Sequence, residues 1–452
     1  MATAAPGHPF YERLDELLAR HEFDAFVEVA CERFYAPVMG RPSLAPGIYF
    51  RLLLVGYFEG IDSERGIAWR VADALSLRDF LGLEAGDRPR DHSTLSRTRR
   101  LMDVETHDQV FTWVVELLAK EGLLWGKRFG FDATTLEANA AMRSIVRRDS
   151  GATYTEFLAE LAQASGVETP TREDLARLDR KRKKKTSNKD WHNPHDPDAR
   201  ITKMKDGRTR LAHKAEQAVD LETGAVVAVT VQPADRGDTA SFATTLQQTI
   251  DVIADIDEAP EAAAKLADAV LAEVVMDKGY HGADVLVDCA DLGIRTYVSE
   301  PDRGRRRWRG KHRQRDATYA NRRRIRGRRG KRLMRQRAEL AERGFAHCYD
   351  SGGMRRLHLR GRDNVAKRVL VQVAGFNLGL VMRRLVGAGR PRAAWILRAL
   401  AYELTLALQA MVRTILTGHA PIRPSLGASP PPAPTPRILV LRGQNPTFTT
   451  AC

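Results

Sequence analysis

Three carboxylates spaced far apart along the chain have the types and surroundings that metal-assisted phosphate chemistry requires: Asp132, Asp277 and one of the pair Glu339 and Glu342. Asp132 lies in the strand-like run Lys127-Arg-Phe-Gly-Phe-Asp-Ala-Thr-Thr-Leu136, and Asp277 closes Val274-Val-Met-Asp277 and opens Lys278-Gly-Tyr-His-Gly282. The glutamates fall on a predicted helix just past the most basic stretch of the protein. A carboxylate at a strand's end loses solvation and gains nothing unless it finds a partner. Two of them held close would repel, and one would stay protonated. A divalent cation between them removes both problems, and Mg²⁺ prefers such hard oxygen ligands. Two ions about 3.5–4 Å apart can activate an attacking water or hydroxyl and neutralise the leaving oxygen of an in-line phosphoryl transfer. Each acid taken singly also has an ordinary reading: a strand-end aspartate is often a turn or cap group, and Glu339 is spaced to pair with Arg335 or Arg343. Asp235 and Asp238 read as turn and cap groups, and His213 and His281 lack metal-ligand spacing and read as polar contacts.

The acids must be held by strands and helices, and the patterning supplies both. In the first strand Phe129 and Phe131 point one way and Gly130, Asp132 and Thr134 the other. Further strands are predicted at Leu211–Val219 and Ala225–Val231, joined as a hairpin by Asp220-Leu-Glu-Thr-Gly224, then at Glu273–Asp277 and Thr296–Ser299. Helices are predicted from Asp238 or Thr239 to about Ile253, over Glu261–Ala269 and over Ala283–Asp291. A hairpin-led sheet with helical crossovers is a mixed sheet in an α/β core. Ahead of it, residues 1–120 read as helical. Within them Arg88–Arg100 forms a helix capped by Asp91 or Ser93 that carries Thr94, Arg97, Arg99 and Arg100, chemistry suited to a DNA groove or to phosphates but equally common on a solvated helix. The stretch 143–210 is polar and charged, with Arg180-Lys-Arg-Lys-Lys-Lys185 and the loop-like Trp191-His-Asn-Pro-His-Asp-Pro197. Val365–Leu385 and Ala394–Thr417 read as helical. The latter is interrupted by Arg398, Glu403 and Arg413, too charged for a membrane span, and the proline-rich end reads as a disordered tail.

The chain has 452 residues and a net charge of +15. Between Arg303 and Arg337 there are 18 Lys or Arg against the single acid Asp316, so this tract supplies the whole positive excess. A basic tract with Trp308 and Tyr319 interleaved points to a polyanion held through its backbone, by counterion release rather than by base reading; its bland alternative is a disordered solubilising loop. The four cysteines are far apart, which excludes a zinc knuckle or a disulfide framework, and the first thirty residues carry acids that argue against a secretory signal. The expectation is a cytoplasmic, nucleoid-associated protein with no membrane partner.

The residues Gly130-Phe-Asp-Ala-Thr134, His213-Lys-Ala-Glu-Gln-Ala-Val-Asp220, Asp277-Lys-Gly-Tyr-His-Gly282, Ala341-Glu-Arg-Gly-Phe345 and Gly352-Gly-Met-Arg-Arg356, in this order, resemble the DDE transposases of bacterial insertion sequences over roughly residues 40–390. The resemblance implies an RNase H-like mixed-sheet catalytic core with an all-helical N-terminal DNA-binding domain and a helical C-terminal region. It divides the chain into a domain at 1–120, a core at 121–385 with insertions near 141–210 and 300–337, a helix at 386–422 and a tail at 423–452. It implies that Asp132, Asp277 and Glu342 form the catalytic triad, binding two Mg²⁺ (or Mn²⁺), cleaving DNA at the element's inverted-repeat ends and joining it to target DNA. Glu342 is preferred for its Ala-Glu-Arg-Gly-Phe setting. Many relatives carry a tyrosine seven and an arginine four residues before this glutamate and a lysine seven after it; here those positions hold Arg335, Ala338 and Tyr349, while Glu339 matches only at Arg335. Lys278, Tyr280, Arg343 and Arg356 would position DNA strands, and the tract, with Arg305, Arg306, Arg307, Arg322, Arg323 and Arg324, would hold flanking or target DNA. Synapsis of two ends implies a homodimer or larger assembly. The rival readings are a structure-selective nuclease on the same core and a non-catalytic DNA-binding descendant.

Overall fold

Among the described residues, 9–120 form seven α-helices: α1 (Pro9–Arg20), α2 (Phe23–Cys31), α3 (Pro46–Glu59), α4 (Glu64–Ala72), α5 (Leu75–Phe80), α6 (His92–Leu101) and α7 (Val104–Lys120). Short polar side chains start three of them. Ser63 accepts from the Gly66 amide ahead of α4, Asp91 from Ser93 ahead of α6, and Asp103 from Thr106 ahead of α7, each satisfying an amide that the first turn leaves unpaired. This is a computed structural model, and it describes residues 8–36, 43–84, 87, 91–182, 186–302, 304, 306–348, 352–394, 404–409 and 411–412.

The chain then builds β1 (Arg128–Glu137), β2 (Val146–Arg147), α8 (Tyr154–Ala164), α9 (Arg172–Lys181), β3 (Trp191–His192), β4 (Arg200–Lys203), β5 (Thr209–Asp220) and β6 (Val226–Pro233). After these come α10 (Asp238–Asp257), α11 (Pro260–Ala263), β7 (Glu273–Met276), α12 (Ala283–Asp291), β8 (Arg295–Val298), α13 (His312–Arg326), α14 (Arg328–Ala346) and α15 (Arg362–Val386). The main sheet runs β4-β5-β1-β7-β8, with β6 also paired to β5. β5 lies antiparallel to β1, β4 and β6, whereas β7 joins β1 and β8 joins β7 in parallel. The predicted mixed sheet and its hairpin are therefore present.

The two faces of β1 meet different neighbours, as alternation requires. Phe129 and Phe131 enter the main core, where the Phe131 ring meets Phe242 of α10 edge-on at 4.9 Å. Gly130 faces α14: a Cβ there would sit 2.8 Å from Arg337 Cγ, so only glycine lets that helix lie so close. Val275 of β7, Leu221, Tyr297 and Leu333 of α14 form a cluster on this same side.

The main core is shared. Residues of α1, α3 and α7 belong to one hydrophobic cluster with β1, β6, α10 and α15. α15 is the common element, packed on α7, α3 and β6. Its Asn377 accepts from the Val226 amide at 3.0 Å and donates to the Val226 carbonyl at 2.7 Å, occupying the free edge of β6. The segment from Arg362 to Ala394 is long and apolar enough to cross a membrane by length and composition, yet 78% of its apolar window is buried within the protein.

Several local expectations change. The stretch 143–210 is not a plain excursion: β2 and β3 pair, and Trp191 gathers Ile145, Leu211, Tyr154 and Phe157 into a separate small cluster. Asp238 does not cap α10, whose N-cap is Gly237, because Lys214 takes its carboxylate instead. The helix expected over Glu261–Ala269 is the single turn α11. From His312 onward the Arg-rich tract is helical and packed, not the disordered loop that was its alternative. In the C-terminal region, residues 391–394, 404–409 and 411–412 are helical, while the rest of the helix expected at 386–422 beyond Ala394 and the tail expected at 423–452 lie outside the described residues.

Candidate active site

β1 and β7 position the two aspartates. Their parallel register pairs Arg128 with Glu273, Phe129 with Val274 and Gly130 with Val275; continued two residues, it sets Asp132 level with Asp277, on the face that α14 covers. Asp277 follows the last residue of β7 and starts a 3₁₀ turn, Lys278–Tyr280, by accepting from the Gly279 amide at 2.7 Å. On the other side of β1, Asp132 pairs with Gln217 of β5. Gln217 donates to the Ala341 carbonyl of α14 at 3.0 Å, and Gly344 gives the amide room there. One strand thus seats the helix that carries the glutamates beside Asp132.

Glu342 and Asp132 line the same open cavity, about 600 Å³, with Arg337, Lys205, Arg210 and Arg355. Glu339 does not line it. Its side chain is 66% exposed and bound to Arg343 at 2.5 Å, the ordinary i,i+4 pair. The Asp132 carboxyl is pushed above the usual aspartate range, first by burial, with Asp277 adding to the rise, while Arg337 and the Ala133 amide oppose it. Arg337 is the internal counter-cation, 3.4 Å from Asp132 Oδ2 and donating to the Phe131 carbonyl at 3.1 Å. Asp132 and Asp277 are a half-buried, mutually repelling pair, and Glu342 opens onto the cavity beside Asp132, which Asp277 does not line; their hard oxygens are of the kind a divalent metal takes. Among the described residues no three His, Cys, Asp or Glu side chains are gathered closely enough to hold an ion unaided; the arginine stands among the acids.

The other expected contacts divide. Lys278, Arg97, Arg100, Arg307, Arg323 and Arg343 are exposed, and Arg356 is exposed while reaching Glu137 at 4.0 Å. Tyr280 is not available to DNA: it is 1% exposed, and its hydroxyl donates to Glu216 at 2.8 Å. Arg99 is turned inward onto Glu64, and its backbone carbonyl accepts from Lys367. Arg322 binds Glu300 at 2.5 and 2.8 Å, and Arg324 binds Thr296, so both tie α13 to the sheet. Arg306 is half-buried over the Trp308 ring, near Glu300. Arg305 lies outside the described residues. His213 makes the polar contact expected of it, a buried pair with Asp196 at 3.2 Å.

Sequence reasoning missed Arg337, Gln217 and Lys205. Gly130 was a sign that some element crosses β1 closely, without saying which. Gln217 lies in the motif His213–Asp220, but its contact with α14 follows only from the β1–β5 register, and Lys205 comes from the β4–β5 turn, with nothing local to mark it.

Asp132, midway along β1, and Asp277, just past the end of β7, lie on neighbouring parallel strands of this mixed sheet, a placement suited to metal-assisted phosphoryl transfer. Residues 3–101 match the family described as transposase domain (DUF772), and residues 181–378 match the transposase DDE domain family. No curated protein and no solved structure matches the chain. The chain belongs to the DDE transposases of insertion sequences, enzymes of DNA cleavage and strand transfer built on an RNase H-like core. Such enzymes use divalent metal ions and act on DNA.

Proposed function

We propose that Asp132, Asp277 and Glu342 are the metal-binding triad with which this transposase cuts the ends of its element and joins them to target DNA. The observation that carries this reading is the parallel pairing of β1 with β7, which puts the two aspartates on neighbouring strands, together with the cavity that Glu342 of α14 shares with Asp132. Asp132 and Asp277 would hold one divalent ion between them and Glu342 would complete the coordination of a second, with Mg²⁺ as the natural ion and Mn²⁺ as a substitute. Bound there, the ions supply Lewis acidity for in-line attack on a phosphodiester. The chain's own part is to present the three carboxylates, with Arg337 as the counter-cation of Asp132, and to keep DNA in place.

For that second task the exposed cations serve. Lys278 and Arg356 flank the acids, Arg343 follows Glu342 on α14, and Arg307 and Arg323 extend the basic surface for flanking or target DNA. Arg97 and Arg100 on α6 would meet the inverted repeats, so the helices of 1–120 recognise the ends and residues 121–385 carry the chemistry. This division is one of task, since the hydrophobic core is common to both. Two ends must be brought together, so the working form is a homodimer or larger, on chromosomal DNA in the cytoplasm.

The test uses purified protein, end-sequence DNA and Mg²⁺. Asp132→Asn, Asp277→Asn and Glu342→Gln should each abolish cleavage, leaving end binding within about twofold, whereas Glu339→Gln should cleave normally. Cleavage by Glu342→Gln together with its loss in Glu339→Gln would reassign the third acid, and end binding lost in both aspartate variants would mean that the pair is structural.

A further inference from the structure

On the opposite face of the sheet from α14, directly beneath the Asp277 turn, lies a second set of ionisable groups that takes no part in the chemistry above. Glu216 of β5 is fully buried, and its carboxylate accepts from three hydroxyls: Ser241 at 2.8 Å, Thr245 at 2.6 Å and Tyr280 at 2.8 Å. Burial pushes its carboxyl above the ordinary range, while the hydroxyls and Lys214 oppose that rise. Lys214, two residues earlier on the strand and 5% exposed, donates to Asp238 at 2.6 Å, Ser241 at 2.7 Å and the Arg236 carbonyl at 3.2 Å. The other oxygen of Asp238 rests against Gly279, so closely that a Cβ on that glycine would lie 2.1 Å from it.

Burying an acid and a lysine is costly unless pairing and hydrogen bonds offset it, and an aliphatic filling would serve stability as well. None of the buried members can reach DNA. What they do touch is the short segment after Asp277, from both ends: Asp238 bears on Gly279, and Glu216 holds the hydroxyl of Tyr280. Gly279 is also the residue whose amide binds the Asp277 carboxylate. The turn has no helix of its own to stiffen it, being three residues long, so its conformation depends on such ties. Metal ligands need support of this kind, because a carboxylate displaced by about half an ångström no longer completes the coordination sphere.

We propose that Glu216 and Lys214, acting through Tyr280 and Asp238, are positioning residues for Asp277: they fix the turn so that its carboxylate stands where a divalent ion needs it. The inference rests on the reading of Asp277 as a metal ligand. It also accounts for the segment His213-Lys-Ala-Glu-Gln217, where Glu216 steadies the Asp277 turn on one face of β5 while Gln217 seats α14 on the other.

The test measures Mn²⁺ binding by the full-length protein, together with metal-free binding of end DNA, for the wild type, Glu216→Gln and Tyr280→Phe. The phenylalanine variant removes one hydroxyl from a ring that stays packed against Phe242, so it remains informative if the glutamine variant folds poorly. Both should bind Mn²⁺ about 10–100-fold more weakly with end-DNA affinity unchanged, and cleavage by Tyr280→Phe should recover as Mn²⁺ is raised. Wild-type Mn²⁺ affinity in both variants would overturn the proposal. So would a parallel fall in metal and DNA binding, the mark of a general folding role. A wild-type protein whose Mn²⁺ binding is insensitive to Asp132→Asn and Asp277→Asn would instead overturn the site itself, and the positioning role with it.

Discussion

Asp132 illustrates how a group proposed for catalysis is held against the stability of the fold. Its carboxyl is raised by burial first and, to a smaller extent, by the neighbouring charge of Asp277. In the unfolded chain the same carboxyl is ordinary. Between those two values the folded protein holds more protons than the unfolded one, so stability falls as pH rises through that window and the loss is complete above it. Asp132→Asn removes the half-buried charge and leaves an oxygen for Arg337. In metal-free buffer at pH 7 its Tm should therefore exceed that of the wild type by about 1–2 °C, an excess that shrinks as pH falls through that window and is gone below the ordinary aspartate range. A Tm below the wild type at pH 7 would show that the Arg337 pair outweighs desolvation. At this scale much was legible from the sequence. Strand alternation separated the phenylalanines from Asp132, and Asp277 at the close of an apolar run announced itself, whereas Asp132 lies midway along β1 and not at a strand end. The choice between Glu339 and Glu342 was not legible, because residues three apart share a helix face until something shows where that face points. Nor was Tyr280: a tyrosine beside a catalytic acid reads as a DNA contact until its burial is seen.

Helix α14 shows the same limit for elements. The arginine density from Arg303 onward reads as an insertion that holds DNA, with a solubilising loop as its alternative; α13 and α14 are continuous helices stitched to the sheet by Arg322, Arg324 and Arg329. Composition tells that a segment is charged, whereas the partners of those charges (Glu300, Thr296 and Glu273) come from strands far away in sequence. α14 links Arg337 to Glu342, and its placement depends on Gln217 meeting Ala341. One alanine inserted between Arg337 and Ala338 turns the rest of the helix by about 100° and advances it about 1.5 Å. Arg337 would keep its place on Asp132 while Glu342 left the cavity. Cleavage should fall by about 100-fold or more, with end binding retained in a band-shift assay. Cleavage at the wild-type rate would show that Glu342 is not tied to this register.

For the molecule as a whole, charge and packing divide the arginines into two populations. Replacing Arg307 and Arg323 by glutamine should lower the slope of log K against log salt by about 0.9 for each phosphate no longer neutralised. Replacing Arg322 and Arg324 should leave that slope alone and lower Tm, since those side chains are bound within the protein. An unchanged slope in the first pair would take the tract's outer surface off DNA. The net charge foretold a polyanionic partner, but could not tell which cations were free to meet it. The sharing of one core between α1–α7 and the sheet was likewise hidden, because helical periodicity shows that a face is apolar and not what covers it. That shared interior has an evolutionary corollary. With α15 wedged among α3, α7 and β6, the first 120 residues are no interchangeable reading head. Grafting those of a cousin with different end preferences would leave mismatched surfaces along the whole of α15. New specificities in this lineage should therefore arise by residue-by-residue change on the outward sides of helices such as α6, with the inward sides kept in step with the sheet.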